Sequence, residues 1–349
     1  RVAMIYLDNN ATTPVDPLVR DAMLPFLGQK FGNPSSPHAA GREARAAVEK
    51  ARTQVAGLLG AEPAGVVFTS GGTESINTAV RGALAAQPGK RHIVTSSIEH
   101  SATKVLCEHL AREGCEVTWL RVDACGRPDL DEYRKCLRED TAIVTVVWAN
   151  NETGVIFPVM EMAALADERR VVFHADAVQA AAKIPVDLSR VPMHLLSVSA
   201  HKFHGPKGAG ALYVRPGLGL PPLFLGGGQE NARRAGTENV PGIAGMGLAA
   251  ELAARAVAEE MPRMAAMRDE FESAVRAAFP RARFHGDTAY RLPNTTNFAL
   301  PGLDARGLIA GLDRLGVACS IGSACSSGAP DASHVLHAMG VDDETARSS

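Results

Sequence analysis

The feature that most constrains the fold is an alternation of short apolar runs with longer amphipathic segments. The runs are rich in Val, Ile and Leu, as expected of parallel strands buried on both faces, whereas the longer segments repeat their apolar residues at the helical period. The alternation predicts an α/β protein with a mostly parallel sheet of about seven strands and helices on both faces. The predicted strands are residues 66–69, 92–96, 116–121, 142–148, 171–175, 195–199 and 210–214.

The pattern of the sequence changes after Pro241. An Ala-rich stretch through Phe279 predicts one long helix, broken near Pro262 because proline lacks the N–H group that a helix needs. Weaker strands are predicted at 283–285, 296–300 and 316–319, with a helix at 304–315. This part of the chain is therefore predicted to form a smaller α+β domain.

Charge and cysteine content exclude several classes of protein. The 349 residues include 36 Lys and Arg and 38 Asp and Glu, a net charge of −2. This near balance argues against a dedicated nucleic-acid or membrane-surface binder, which needs clustered positive charge. No segment is expected to span a membrane or act as a secretion signal, so we expect a cytoplasmic protein. The six cysteines include no C-x-x-C pair and are expected to be free thiols.

Two charged residues follow neighbouring predicted strands. Asp176 comes directly after a buried strand, and Lys202 follows the next one. Ligands of open α/β sheets bind at the carboxyl ends of strands. A lysine that forms a Schiff base and a carboxylate that keeps a pyridine nitrogen protonated are what pyridoxal phosphate requires. From these two residues alone, a cofactor site and a structural ion pair remain equally open.

Residues 70–74, Ser-Gly-Gly-Thr-Glu, lie between a predicted strand and a predicted helix. Small residues let the backbone approach a phosphate, and the free N–H groups at a helix start attract the anion. Such a sequence is also common at ordinary helix starts. The chain contains no G-x-G-x-x-G, which disfavours a nucleotide. Together with Asp176 and Lys202, these residues favour a pyridoxal phosphate site.

Two further polar segments end predicted strands. His100 could stack over an aromatic cofactor ring, although a histidine at this position is also a common turn residue. Residues 149–154, Ala-Asn-Asn-Glu-Thr-Gly, are either a turn with Asn side chains bonded to the backbone or a ligand contact. We favour the ligand contact for the second segment.

Cys325 lies in a Gly- and Ser-rich segment, where a mobile nucleophile is more expected than a core cysteine. Cys319 follows an apolar run and is expected to be packed. The two thiols lack the further ligands that a structural zinc site needs. Cys325 is therefore a candidate reactive thiol.

Taken in order, these motifs resemble those of cysteine desulfurases, in the class V aminotransferase group of pyridoxal phosphate enzymes. The resemblance covers essentially the whole chain and is closest to the branch that serves nitrogen fixation and general iron–sulfur assembly. It implies the fold type I of pyridoxal phosphate-dependent transferases, with a large domain of residues 14–257 and a small domain of 1–13 and 258–349. The matching segments are residues 6–14, 31–36, 69–75, 99–100, 150–154, 176–179, 201–202, 234–239 and 322–328.

The resemblance implies a role for each matching residue. Lys202 would hold the cofactor covalently, Asp176 would pair with the pyridinium nitrogen, and Gln179 would bond the ring hydroxyl. His100 would stack on the ring, and Asn151 would lie beside cofactor and substrate. Either His100 or the cofactor would help to deprotonate the reactive thiol. The implied phosphate ligands are Gly72, Thr73, Ser199, His201 and, from the other subunit of a homodimer, Thr237.

The implied reaction converts L-cysteine to L-alanine. Cys325 would take the sulfur as a persulfide and pass it to a sulfur-acceptor or iron–sulfur scaffold protein. No intrinsic metal site is expected, although Cys325 is a candidate for contact with a transient iron–sulfur cluster. The alternatives are another class V enzyme, such as a selenocysteine lyase or an aminotransferase, and a non-catalytic partner in sulfur assembly.

The sequence departs from the family at its end. It stops at Ser349, before the strand that in the family carries an arginine for the substrate carboxylate, and Arg347 does not match that position. We expect the sequence to be incomplete there, because the upstream site residues are retained. A catalytically impaired protein that still binds the cofactor is the other possibility.

Overall fold

The computed structural model describes residues 4–322 and 332–349. Its strands are β1 (Ile5–Tyr6), β2 (Val66–Thr69), β3 (His92–Ser96), β4 (Glu116–Leu120), β5 (Thr141–Val147), β6 (Val172–Asp176), β7 (Leu195–Ser199), β8 (Gly210–Val214), β9 (Arg283–Phe284), β10 (Phe298–Ala299) and β11 (Val317–Ala318). Its helices are α1 (Pro17–Leu27), α2 (Ala39–Leu59), α3 (Gly72–Ala86), α4 (Ser101–Arg112), α5 (Leu130–Cys136), α6 (Val159–Glu168), α7 (Gln229–Ala232), α8 (Val240–Ala278), α9 (Ala305–Arg314), α10 (His334–Ala338) and α11 (Asp343–Arg347).

A seven-stranded sheet in the order β2-β8-β7-β6-β5-β3-β4 forms the centre of the fold. The pairs from β7 through β4 are parallel, whereas β8 is antiparallel to both of its neighbours. This confirms the predicted mostly parallel sheet. All residues of β2, β3, β5, β7 and β8 are buried, which explains why these strands are nearly continuous apolar runs in the sequence.

Helices cover both faces of the sheet. On one face of the sheet, every second residue of a strand packs against α3 and α4. Val67 and Ile93 are examples. The other face packs against α2, α6 and α8, with Phe68 and Val94 among its core residues. Helix α2 ends at Gly60, whose φ of 59° gives the left-handed cap that suits glycine. The predicted helical covering is therefore present on both sides.

Helix α8 differs from its prediction. It continues through Pro262, which is exposed, so water can bond the carbonyl group that proline leaves without a donor. The expectation of a break near Pro262 is therefore wrong. We also expected no segment long enough to span a membrane, and this expectation is wrong. Helix α8 is long enough, and an 18-residue stretch of it is apolar enough, with a mean hydropathy of 1.2. This is a weak indication, because 44% of that stretch is buried and α8 packs against α1 and α2.

Short strands complete the C-terminal part. Strands β9 and β10 pair antiparallel, and both are shorter than predicted. Strand β1 pairs parallel with β11, so the start of the described chain is joined to the segment that precedes residue 323. The N–H of Leu7 donates to the carbonyl oxygen of Ala318 over 2.7 Å, and Ser320 Oγ donates to Asp8 Oδ1 over 2.6 Å.

Candidate active site

The predicted site residues converge on one edge of the central sheet. Asp176 is the last residue of β6, Ser199 is the last residue of β7, and Lys202 ends a short 3-10 turn directly after it. Gly210, at the start of the antiparallel β8, pairs with both Ser199 and Thr69. This register places the turn before α3 beside the ends of β6 and β7.

Asp176 is a buried carboxylate at this edge, with 5% of its surface exposed. The N–H of Val178 donates to its Oδ1 over 3.0 Å. Burial raises the pKa of Asp176, whereas the positive charges of His100 and Lys202 act in the opposite direction. These two charges favour the ionised carboxylate, which is the form that a protonated ring nitrogen needs as its partner.

The amine of Lys202 is bound by backbone oxygens. Its Nζ donates to the carbonyl oxygens of Asn10 and Ala11, the latter at 2.8 Å. These residues belong to the segment between β1 and α1, so the N-terminal segment reaches the catalytic edge of the sheet. A primary amine at this edge of the sheet is suited to Schiff-base chemistry.

His100 caps α4. Its Nδ1 accepts a hydrogen bond from the N–H of Ala102 over 3.1 Å, so the ring proton of the neutral form lies on Nε2. The ring acts electrostatically on the buried carboxylates of Asp176 and Glu152. His100 is therefore both a turn residue and a neighbour of the candidate site, and the two alternatives from the sequence are compatible.

The turn before α3 has the shape of an anion cradle. Gly71 has a φ of 149°, and Gly72 is the first helical residue. A Cβ atom on Gly72 would lie 2.8 Å from Cγ2 of Val178, and one on Gly71 would lie 3.7 Å from Oγ of Ser199. The free N–H groups of the first helical turn, which includes the exposed Thr73, complete a site that suits a phosphate.

His201 adds a polar ring to this region. Burial lowers its pKa to about 4, and the positive charges of Lys202, Lys207 and Lys183 act in the same direction. Its Nδ1 lies 3.1 Å from Oγ1 of Thr12. A cluster of basic groups around one histidine favours an anionic ligand, so the residues present fit the phosphate and the ring nitrogen of pyridoxal phosphate.

Gln179 and Asn151 are joined through Asn10. Gln179 Nε2 donates to the carbonyl oxygen of Asn10 over 2.9 Å, and the side-chain amide of Asn10 donates to the carbonyl oxygen of Asn151 over 3.1 Å. The carbonyl oxygen of Asn10 also binds Lys202. The structure thus brings Gln179, Asn151 and Lys202 around one residue.

The structure does not join Thr237 to this cluster. Thr237 is exposed on the loop before α8, and the hydrogen bonds within residues 4–322 and 332–349 do not connect it to the other site residues. Arg234 of the same loop contacts Glu74, with its Nε 2.9 Å from Oε1. Cys325 lies outside the described residues. Cys319, which was expected to be packed, is half-buried, and burial raises its pKa.

Sequence reasoning missed two residues of this cluster, Asn10 and Lys183. Asn10 lies in a motif that the resemblance includes, but its part is played by a backbone carbonyl group, which no side-chain pattern reveals. Lys183 follows Gln179 by one helical turn and bonds its side chain. A lysine within an otherwise apolar run is the signal that could have identified it.

Comparison with known proteins agrees with this geometry. The sequence matches the aminotransferase class-V family over residues 5–349. The cysteine desulfurase of Gluconacetobacter diazotrophicus is 51% identical over 339 residues, which are 97% of this chain and 85% of the relative. The cysteine desulfurase NifS of Azotobacter vinelandii is 48% identical over 341 residues, with 97% of this chain and 85% of the relative covered.

The fold has the same relatives. The solved structure of a NifS-like protein superposes with a TM-score of 0.92 at 38% identity, covering 99% of this chain and 92% of that one. The expected resemblance and the expected fold are confirmed. The chain therefore belongs to the aminotransferase class-V family.

Proposed function

We propose that this chain is a cysteine desulfurase, which removes the sulfur of L-cysteine, leaves L-alanine and carries the sulfur on Cys325. The relatives that match 97% of the chain bear this name. The observation that carries the proposal is the placement of the Lys202 amine and the Asp176 carboxylate after neighbouring strands, at one edge of one sheet. An amine and an acid in this arrangement suit the two sides of a pyridine ring.

Pyridoxal phosphate is the cofactor of the class-V family, and when bound it draws electrons from the Cα atom of an amino acid. Asp176 would hold the proton on the ring nitrogen, because a buried carboxylate favours a cationic partner. His100 would stack on the ring, and Asn151 would lie beside the substrate. Gln179 would donate to the ring hydroxyl oxygen. Each role rests on the position of the residue at the sheet edge.

The phosphate ligands surround the start of α3. Backbone N–H groups of Gly72 and Thr73 would bind the phosphate, with Ser199 and His201 on the side of β7. Lys202 would hold the cofactor and, once released from it, take the Cα proton of the substrate. In the structure its Nζ donates to the carbonyl oxygens of Asn10 and Ala11.

The sulfur step balances without an external oxidant. The thiolate of Cys325 would attack the substrate sulfur, so that an S–S bond forms as the C–S bond breaks. The electron pair of the C–S bond stays on the substrate carbon, which gains a proton and becomes the methyl group of L-alanine. A thiol near its ordinary pKa of about 8.5 is mostly protonated at neutral pH, so His100 or the cofactor would help to remove its proton. His100 would do so only after its Nδ1 releases the N–H of Ala102.

Several assembly properties belong to the same proposal. We infer a homodimer in which Thr237 reaches the phosphate of the other subunit, and the exposed apolar side chains of Leu18, Leu24, Leu27 and Phe31 support such an interface. The persulfide would pass to a sulfur-acceptor or iron–sulfur scaffold protein. The near-neutral charge and the free cysteines among the described residues support a cytoplasmic location.

The test measures alanine and sulfide release from L-cysteine in the presence of a reductant. The parent should release both, and Cys325→Ser should release neither above background. Cys125→Ser, which replaces an exposed thiol, serves as the matched control and should retain the activity. Lys202→Ala should lose the visible band of the bound cofactor.

Other outcomes would contradict the proposal. Full desulfuration by Cys325→Ser would rule out the persulfide and favour another class V reaction, such as that of a selenocysteine lyase. A parent whose visible band does not respond to L-cysteine would favour a non-catalytic partner in sulfur assembly.

A further inference from the structure

Lys183 is a buried lysine beside the candidate site that has no part in the proposed reaction. Only 7% of its surface is exposed. It lies in the turn after β6, where the N–H of Lys183 donates to the carbonyl oxygen of Ala180 over 3.0 Å. The preceding Ala182 has a φ of 66°, a left-handed conformation that costs about 1 kcal/mol for a residue other than glycine. The turn therefore holds this lysine inward at the expense of backbone strain.

The charge of Lys183 lacks an acidic partner among residues 4–322 and 332–349. Its Nζ donates to Oε1 of Gln179, and the charge that acts on its pKa within the described chain is the positive charge of Lys202. The charged or titratable groups that interact with it are Lys202 and His201, both from the segment after β7. A buried ammonium group with only a neutral amide for a partner is unfavourable. The surroundings of Lys183 would therefore stabilise a negatively charged ligand bound nearby.

The chemistry of lysine fixes the orientation of the Gln179 amide. Burial lowers the pKa of Lys183 to about 7, and below that pH the ammonium form prevails. An ammonium group has donors and no acceptor, so the atom of Gln179 that faces it is then the oxygen. Nε2 then points away from Lys183, toward the carbonyl oxygen of Asn10, which it reaches over 2.9 Å. Nε2 has a second N–H group, and the carbonyl oxygen of Asn10 that Nε2 binds is also bound by Lys202.

We propose that Lys183 is a positioning residue for the cofactor, which keeps the Gln179 amide oriented so that its N–H donates to the ring hydroxyl oxygen. This inference rests on the proposed binding of pyridoxal phosphate between Lys202 and Asp176. Without Lys183 only the bond from Nε2 to the carbonyl oxygen of Asn10 holds this orientation. The rotated amide, with its oxygen toward the ring, would then be populated more. The ring oxygen would lose a donor and face an acceptor instead.

The expected effect is a change in the pH at which the nitrogen of Lys202 loses its proton in the cofactor-bound enzyme. A donor at the ring oxygen stabilises its anionic form, which lets the neighbouring Lys202 nitrogen lose its proton at lower pH. Removing the donor therefore raises the pH midpoint of the visible band of the bound cofactor. We expect Lys183→Met to raise this midpoint by about one pH unit, a tenfold change in the ratio of the two forms.

The experiment titrates the visible band of the holoenzyme without substrate. Lys183→Met and the smaller Lys183→Ala are compared with Lys135→Met, which replaces an exposed lysine and should titrate as the parent does. The same change at Lys183 is then made in a Gln179→Leu background. Because Lys183 acts through Gln179, it should shift the midpoint only when Gln179 is present.

The possible results separate this inference from the proposed function. A parent without a visible band would overturn the proposed function itself. A parent with the band, and Lys183 variants that titrate as the parent does, would overturn this inference alone. An equal shift with and without Gln179 would also overturn it, since Lys183 would then act by charge at a distance rather than by orienting the amide.

Discussion

Replacing Lys183 by methionine should stabilise the protein after the cofactor has been removed, by an amount that depends on pH. Burial lowers the pKa of Lys183 from 10.5 to about 7, and the charge of Lys202 adds to this effect. A difference of about 3.5 pH units corresponds to roughly 5 kcal/mol against the native state. Since only 7% of the residue is exposed, solvent screens little of this penalty. Methionine has a similar length and no charge to desolvate.

The sign of the pH dependence follows from the direction of the pKa change. Where lysine is charged in both the native and the unfolded state, below about pH 7, the penalty is complete. It declines as the pH rises toward 10.5, because the native state then holds the neutral amine. Methionine leaves Oε1 of Gln179 without its donor, which costs about 1–3 kcal/mol. The net gain is therefore about 2–4 kcal/mol near pH 6, and near pH 10 it turns into a small loss, because the cost at Gln179 remains when the charge penalty has gone.

The assay is urea unfolding of the cofactor-free protein, followed by circular dichroism at about pH 6, 8 and 10. Lys135→Met, in which an exposed lysine is replaced, should show no comparable gain. A gain of the same size at every pH would refute the reasoning, as would a Lys183→Met protein that is less stable than the parent near pH 6. Adding pyridoxal phosphate should reduce the difference, because its negative charge offsets the buried ammonium group.

Three further predictions follow from contacts described for the site and the core. Gly72→Ala places a Cβ atom 2.8 Å from a neighbouring side chain, and should weaken the affinity for pyridoxal phosphate at least tenfold by equilibrium titration. Gly57→Ala, where nothing lies within 4 Å of the added Cβ atom, should leave the affinity unchanged. If Gly72→Ala bound the cofactor as tightly as Gly57→Ala, the turn before α3 would not be the phosphate site. Asp176→Asn should retain the cofactor on Lys202 but form alanine about a hundredfold more slowly, and unchanged turnover would exclude its role. Arg52→Ala leaves the buried Glu230, now 2.7 Å from the guanidinium group, without its partner. It should lower the free energy of unfolding by about 3–5 kcal/mol, and a loss below about 1 kcal/mol would refute this.

The strands of the central sheet could be predicted from the sequence because they are buried on both faces. Four of the predicted ranges, at β2, β3, β7 and β8, have the observed bounds. The others differ by one residue, and Asp176 is the last residue of β6 rather than the first after it. The antiparallel direction of β8 could not be predicted, because a buried strand has the same apolar pattern in either direction.

The C-terminal part was predicted less well. Strands β9, β10 and β11 have two residues each, so alternation cannot identify their ends. Pro262 suggested a break in α8, but a proline at an exposed position of a helix does not require one. The division of the chain into residues 14–257 and the remainder stays a prediction, since α8 runs through the proposed boundary.

For the candidate site, the sequence indicated side chains but not the groups that orient them. Asp176, Ser199 and Lys202 follow strands whose register brings them to one edge, which the alternation of elements predicts. Backbone acceptors such as the carbonyl oxygen of Asn10 cannot be read from residue types. The roles assigned to Cys325 and Thr237 stay predictions.

The N-terminal segment ties together two parts of the protein that are far apart in sequence. Residues of β1 pair with β11, and a few residues later the Asn10 and Ala11 carbonyl groups hold Lys202. Trimming this segment to obtain a shorter protein, or fusing a rigid partner close to Ile5, would disturb the amine and the approach to residue 323 together. Engineering of this enzyme should therefore leave the first described strand intact and attach tags through a long, flexible spacer.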